Sequence, residues 1–222
     1  MGDGLKIAYL QVELLNWFQM SRRNFPWREA TANDYEKIVS EVFLQRTKAE
    51  RVAKFYAFFL KKYPSWQDLA TASVQQLQTD LQPLGLHKQR GERLYRLAQE
   101  MNARLGVFPD SREVVEEFSM MGQYIANAFE LFILKKAKPL LDVNMARFLE
   151  RQFEARRKAD IRYDSFLQNL AHQLVHHATP ILINWAVLDF AALICTARSP
   201  KCDQCPVNGV CNYFQQFALT LH

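Results

Sequence analysis

Every cysteine of this 222-residue chain falls in one stretch near its end, "CTARSPKCDQCPVNGVC", residues 195–211. Cys195, Cys202, Cys205 and Cys211 follow the pattern Cys-x6-Cys-x2-Cys-x5-Cys. Four thiolates in one compact loop can wrap a single inorganic centre, either zinc or a [4Fe-4S] cluster. Zinc sites usually pair two Cys-x2-Cys knuckles. This stretch holds one, so the spacing favours iron and sulfide.

Three further side chains could do chemistry. Asp142, in "KPLLDVNMARFLER", stands just ahead of an amphipathic helix, where a carboxylate ordinarily serves as an N-cap. Glu41, in "SEVFLQRT", lies between Val39 and Val42, and burial there would raise its pKa by desolvation. Tyr124 follows Gly122 by two residues, in a tight turn that joins two helices and allows close backbone approach. Other pairs are weaker. His172 and His176 are four apart with no third metal ligand in view, so a polar helix face accounts for them. Lys135, Lys136 and Lys138 suit a solvated turn, while Arg147 and Arg151 share a helical face that could meet phosphates or simply water.

The elements that position these groups are helical throughout. About half of the residues are apolar and seven are glycine, which suits a packed globule and argues against disorder. In "DYEKIVSEVFLQRTKAERVAKFYAFFLKKY" apolar residues recur at steps of three and four, with a break near Thr47. "PLGL" separates two helices, Asp110 and Glu113 resemble a capping box, and helices should run through "QYIANAFELFIL" and "NMARFLERQF". The formal charge of +5 favours a polyanionic partner. No apolar run reaches membrane-spanning length, and "MGDGLKIAYL" lacks the features of a signal peptide. The expectation is a soluble cytoplasmic protein, nucleoid-associated if prokaryotic, in a compartment too reducing for structural disulfides.

The cysteine spacing, the turn at Gly122, the aspartate twenty residues later and the upstream "NFPWRE...SEVFLQRT" occur in the order that resembles the helix-hairpin-helix DNA glycosylases of the endonuclease III and MutY type, from about Asn24 to Tyr213. That resemblance implies an all-α, two-domain fold. Its six-helix barrel with the helix-hairpin-helix would span residues 24–134, and its cluster domain would combine 1–23 with 135–222. It implies that Cys195, Cys202, Cys205 and Cys211 ligate a [4Fe-4S] cluster, and that double-stranded DNA is bound by a monomer across a cleft, with Asp142 and Tyr124 facing each other over the flipped nucleotide. Asp142 matches the family's catalytic aspartate, which stabilises an oxocarbenium-like sugar and helps orient water. Glu41 resembles the glutamate that MutY-type enzymes use to protonate adenine. Gln45 or Arg46, and Leu86 or His87, resemble residues that plug the stack and meet the orphaned base. Gly122, Gln123 and Arg147 would contact the DNA backbone.

Two positions narrow the activity. Bifunctional relatives carry a nucleophilic lysine where this chain has Tyr124, and a phenol cannot form that imine. Tyr124 with Glu41 resembles the T·G-mismatch thymine glycosylases, which points to a monofunctional enzyme that removes thymine or uracil opposite guanine. A MutY-type adenine glycosylase is the weaker enzyme reading, since eleven residues follow Cys211 and leave no room for an 8-oxoguanine-reading domain. The hairpin, usually Leu-Pro-Gly-Val-Gly, here reads Phe118, Ser119, Met120, Met121, Gly122. This departure leaves room for a modified-base substrate or a non-catalytic DNA-binding module.

Overall fold

The computed structural model describes residues 2–118 and 122–219, with no side chains described at 217–219. The departing hairpin residues Ser119, Met120 and Met121 lie outside the described residues. Among the described residues the chain is helical, with no strand and no helix long and apolar enough to cross a membrane. It divides into two compact units, Asn24–Leu134 and Met1–Arg23 with Lys135–His222.

The contiguous unit begins with α2 (Asp34–Leu44), after α1 (Asp3–Ser21) of the other unit, and continues with α3 (Ala49–Lys62). Asn33 starts α2 with a complete capping box, its side chain accepting from the Glu36 N–H and the Glu36 carboxylate accepting from the Asn33 N–H. The break near Thr47 is the loop between α2 and α3. Two short helices, α4 (Trp66–Thr71) and α5 (Val74–Asp80), are capped by Ser65 and Ser73 and pack on the long α6 (His87–Ala103). At Gly91 of α6 a Cβ would sit 2.9 Å from the Gln78 backbone nitrogen, so only glycine lets α5 and α6 approach this closely. The short α7 (Arg112–Glu117) follows, and α8 (Gln123–Phe132) closes the unit against α2. Here the cap differs from expectation: Ser111, not Asp110, accepts the Val114 N–H, and Glu113 falls within the first turn. A hydroxyl one residue later reaches the open N–H groups, leaving Asp110 outside the helix. The core of this unit joins Ile38, Phe43 and Phe59 to Leu94, Met101 and Phe129.

The second unit has its own core. Ile7, Leu10, Leu14 and Phe18 line one face of α1, at steps of three and four, and are buried. Each such side chain contributes about 1.5–3 kcal/mol on burial. They pack with α9 (Val143–Gln152), α10 (Ser165–Val175) and α11 (Pro180–Leu193), the last being predominantly apolar. α12 (Asn212–Leu219) follows the cysteine stretch and packs on α9. Two polar residues inside α11 organise the chain around it. Asp189 accepts from the Arg23 N–H at 2.9 Å and from its guanidinium at 2.8 Å, fixing the end of α1. Asn184 accepts from the Leu140 N–H at 2.7 Å and donates to Lys138 O at 3.1 Å, fixing the segment that leads to Asp142.

Candidate active site

Asp142 takes up the capping role that its sequence position allows. It is the N-cap of α9, one oxygen (Oδ1) accepting from the Asn144 and Met145 N–H groups at 2.8 and 2.9 Å. The other, Oδ2, accepts from the Asn144 side-chain amide at 2.6 Å. Burial raises the Asp142 pKa above its ordinary value, against the pull of those bonds and the Arg147 charge. The carboxylate is therefore held in one orientation with little water to disperse its charge.

Asn144 is itself held. Its Oδ1 accepts from both terminal nitrogens of Arg147 at 3.2 Å, while Arg147 also donates to Cys195 O at 3.0 Å and Ala191 O at 2.8 Å. A continuous chain of hydrogen bonds thus runs from the first cysteine's carbonyl through Arg147 and Asn144 to Asp142. The Arg147 guanidinium, expected to contact the DNA backbone, is half-buried and bonded to two carbonyls and an amide. Arg151, from the same face, likewise donates to Thr196 O at 2.7 Å and Ala197 O at 3.0 Å and lies 3.3 Å from the Cys195 sulfur. Sequence reasoning missed Asn144 and Asn184, because a single asparagine carries no periodic signal.

On the other unit, α8 carries Tyr124 in its first turn and α2 carries Glu41. The Tyr124 hydroxyl donates to the Glu41 carboxylate at 2.8 Å, and Glu41 is only 2 % exposed. A carboxylate this deep among Val39 and Val42 has little access to solvent, and the phenol supplies one of its hydrogen bonds. Gly122, just before α8, has φ of −73°, an ordinary extended conformation that does not call on glycine's access to positive φ. Nothing lies within 4 Å of where its Cβ would be, which leaves that backbone open. Gln123 is the first residue of α8 and half-buried.

The candidate plug residues sit on two loops of this same unit. Arg46, exposed, follows α2 with φ of 57°, and Leu86 precedes α6 with φ of 51°. Leu86 is 49 % exposed, so it is not the core leucine that its type alone would suggest. Gln45 and His87 flank them, each half-buried. His172 lies in α10 with His176 just past its end, and among the described residues no three His, Cys, Asp or Glu side chains are grouped to hold a single metal ion.

The cysteine loop turns twice, at Cys202–Gln204 and at Asn208–Val210, with the Asn208 amide donating to Cys202 O at 3.0 Å. All four cysteines are unpaired and line one cavity with Ile194, Pro200 and Phe214. Burial and the neighbouring thiols push Cys202 and Cys211 upward and Cys205 up to about 12. Sulfurs that line one cavity and whose charged forms burial disfavours are an ill-matched set as free thiolates. They are well matched to a cationic iron-sulfur centre, which takes up their charge together. The donor set therefore fits a [4Fe-4S] cluster held by Cys195, Cys202, Cys205 and Cys211.

Comparison with known proteins agrees with this geometry. Residues 39–174 match the HhH-GPD superfamily base excision DNA repair protein family, and residues 195–211 match the iron-sulfur binding domain of endonuclease III. The chain is 35 % identical over 219 residues to a thymine/uracil-DNA glycosylase of Pyrobaculum aerophilum, covering 96 % of this chain and 95 % of that one. Among solved structures it resembles a thermostable thymine-DNA glycosylase, with a TM-score of 0.85, 29 % identity and coverage of 95 % and 97 %. It shares its fold with endonuclease III trapped covalently on DNA, at a TM-score of 0.82 and 17 % identity, over 98 % of this chain and 100 % of that one. With the aspartate, the glutamate–tyrosine pair and the four-cysteine loop each in place, the chain belongs to the HhH-GPD superfamily of base excision DNA repair proteins and has the endonuclease III-like all-α fold with a [4Fe-4S] cluster.

Proposed function

We propose that this DNA N-glycosylase is monofunctional and removes thymine or uracil mispaired with guanine from double-stranded DNA, acting as a monomer. The observation that carries the reading is the Tyr124–Glu41 hydrogen bond of 2.8 Å at the start of α8. A lyase needs an amine there to attack C1′, and a phenol committed to a buried carboxylate cannot supply one. The similarity to thymine/uracil-DNA glycosylases over nearly the full chain supports the choice of base.

In the proposed reaction the target nucleotide leaves the stack, and Arg46 and Leu86 fill its place and meet the widowed guanine. As the N-glycosidic bond lengthens, positive charge grows on the sugar, and the fixed Asp142 carboxylate stabilises it and orients the attacking water. Asn144 keeps that carboxylate aimed. Glu41 hydrogen-bonds the edge of the departing base or its water, with Tyr124 fixing its rotamer. Thymine is a normal base, so selectivity rests on the weaker pairing of the mismatch and on contacts to guanine. When bound, the cluster cross-links the four cysteines and so stiffens their loop. Gly122 and Gln123, at an open helix start, and the exposed basic residues Arg198 and Lys201 of the cysteine loop contact phosphate in this reading.

Single-turnover assays on labelled duplexes with T·G, U·G, A·G, A·8-oxoguanine and oxidised pyrimidines test the proposal, each read with and without alkali. Breaks at T·G and U·G that need alkali are expected. Breaks without alkali overturn the monofunctional assignment, and cutting confined to A·G or A·8-oxoguanine overturns the choice of base.

A further inference from the structure

Arg90, in the first turns of α6, is 4 % exposed, and among the described residues no carboxylate accepts from it. One terminal nitrogen (Nη1) donates to Gly85 O at 2.6 Å, and the other (Nη2) donates to Gln45 O and to Thr47 Oγ1, both at 2.9 Å. The two arms of a single guanidinium therefore fasten two different loops, the one before α6 and the one after α2. Thr47 adds a weaker link, its hydroxyl donating to Leu84 O at 3.4 Å.

Each loop holds a residue in a conformation that L side chains avoid. Arg46, directly between Gln45 and Thr47, has φ of 57°, and Leu86, directly after Gly85, has φ of 51°. A non-glycine residue in the left-handed region costs on the order of 1–3 kcal/mol and persists only where its surroundings over-determine it. Here the surroundings are visible, since the residues bonded to Arg90 are the immediate neighbours of Arg46 and Leu86. A planar fork with diverging donors can serve both loops at once, and a lysine ammonium on a flexible stem cannot hold that geometry. Neutral acceptors in place of a carboxylate also leave the charge of Arg90 unneutralised beside those of Arg51 and Arg93.

We propose that Arg90 is a positioning residue that locks Arg46 and Leu86 into one rigid, two-pronged wedge, so that both prongs enter the duplex at a fixed spacing when the base is flipped. The proposal rests on the reading of these two loops as the ones that plug the stack. Arg90 touches no reacting atom; it acts through the loops.

The test compares Arg90→Lys, Arg90→Met, Leu86→Ala and the double variant Arg90→Lys/Leu86→Ala in the cluster-containing protein. Flipping is followed by 2-aminopurine fluorescence beside a T·G pair, and single-turnover excision is measured for uracil in a U·G duplex and in an unpaired bubble. Thermal unfolding and visible absorbance report fold and cluster. Arg90→Lys should lose the fluorescence rise and slow duplex excision about tenfold or more, while the bubble rate stays within about twofold and unfolding is little changed. In the double variant the lysine change should add almost nothing to Leu86→Ala, because both act through one wedge. Equal slowing of duplex and bubble would reduce Arg90 to a structural role and overturn the proposal. So would a wild-type flipping signal in Arg90→Lys when Leu86→Ala is impaired. If Leu86→Ala itself flips and excises normally, the wedge reading fails, and the role of Arg90 falls with it. Should Arg90→Met not fold, the lysine variant carries every comparison.

Discussion

Asp142 is a helix cap, and in the proposed reaction the same carboxylate stabilises the sugar. Capping uses Oδ1, and Oδ2 is bonded by Asn144, so the structural duty fixes one carboxylate orientation, the one the proposed chemistry would use. The raised pKa has a definite sign. A carboxylate whose folded pKa exceeds its unfolded value contributes stability below the unfolded value, about 3.9, and loses it as pH rises through the folded value. At neutral pH the ionised Asp142 thus costs stability. Asp142→Asn keeps a capping oxygen and removes a poorly solvated charge but sets its amide N–H against that of Asn144, so its thermal midpoint at pH 7 should stay close to wild type. Its single-turnover excision should fall about a hundredfold or more while duplex binding persists. The pH profile of excision should show an acid limb above the ordinary carboxylate range, since protonation abolishes the charge that stabilises the sugar. Asn144→Ala leaves Oδ2 without its amide, and excision should drop about tenfold with unchanged binding in a gel-shift titration. The resemblance read from the sequence pointed to Asp142 and Glu41, but not to Asn144. Asn144 is held by Arg147 from one turn further along α9, a contact set by the folded helix and its neighbours and not by residue type.

The elements were legible where their signals are local. The break at Thr47, the "PLGL" separator before α6 and the helices from Gln123 and Val143 all follow from breakers and period, which act within a few residues. What could not be read was the fate of charged residues on helical faces. Arg147 and Arg151 look solvated by spacing, yet both bind carbonyls of the cysteine loop. Arg90 did leave a trace, because it extends the buried stripe of Leu94, Leu97 and Met101 on α6, where a charge needs a specific partner. The close approach of α5 and α6 also hides in sequence as one glycine. Gly91→Ala would press a methyl to within 2.9 Å of the Gln78 nitrogen and 3.1 Å of its Cα, backbone atoms that cannot swing aside. Overpacking of this kind costs about 1–3 kcal/mol, to be seen as a lowered midpoint in thermal unfolding. The loss should appear even though alanine favours helix over glycine.

At the scale of the whole molecule, two cores lie on one chain, and they differ in how they are held. The core of residues 24–134 is drawn from a contiguous segment. The other must bring α1 back to residues 135–222, so closing it costs the entropy of a loop more than a hundred residues long. Several of its cross-ties end on the cysteine loop or its flanks. Tyr9 donates to Pro206 O at 3.2 Å, Lys6 donates to Gln152 O and to the Asn212 side chain, and Arg147 and Arg151 bind the carbonyls after α11. Val207 of the loop is buried in that core. Loss of the cluster should therefore loosen this unit first. Cys205→Ser removes one ligand, and its expected signature is reduced visible absorbance together with faster amide exchange in α1, α9 and α12. Exchange in α2, α6 and α8 should stay slow, because none of their core contacts depends on the loop. Mass-spectrometric hydrogen exchange resolves the two sets of helices in one experiment. Uniform acceleration across both would show that the units unfold as one cooperative body, and unchanged exchange in α1 would show that its ties to the loop contribute little.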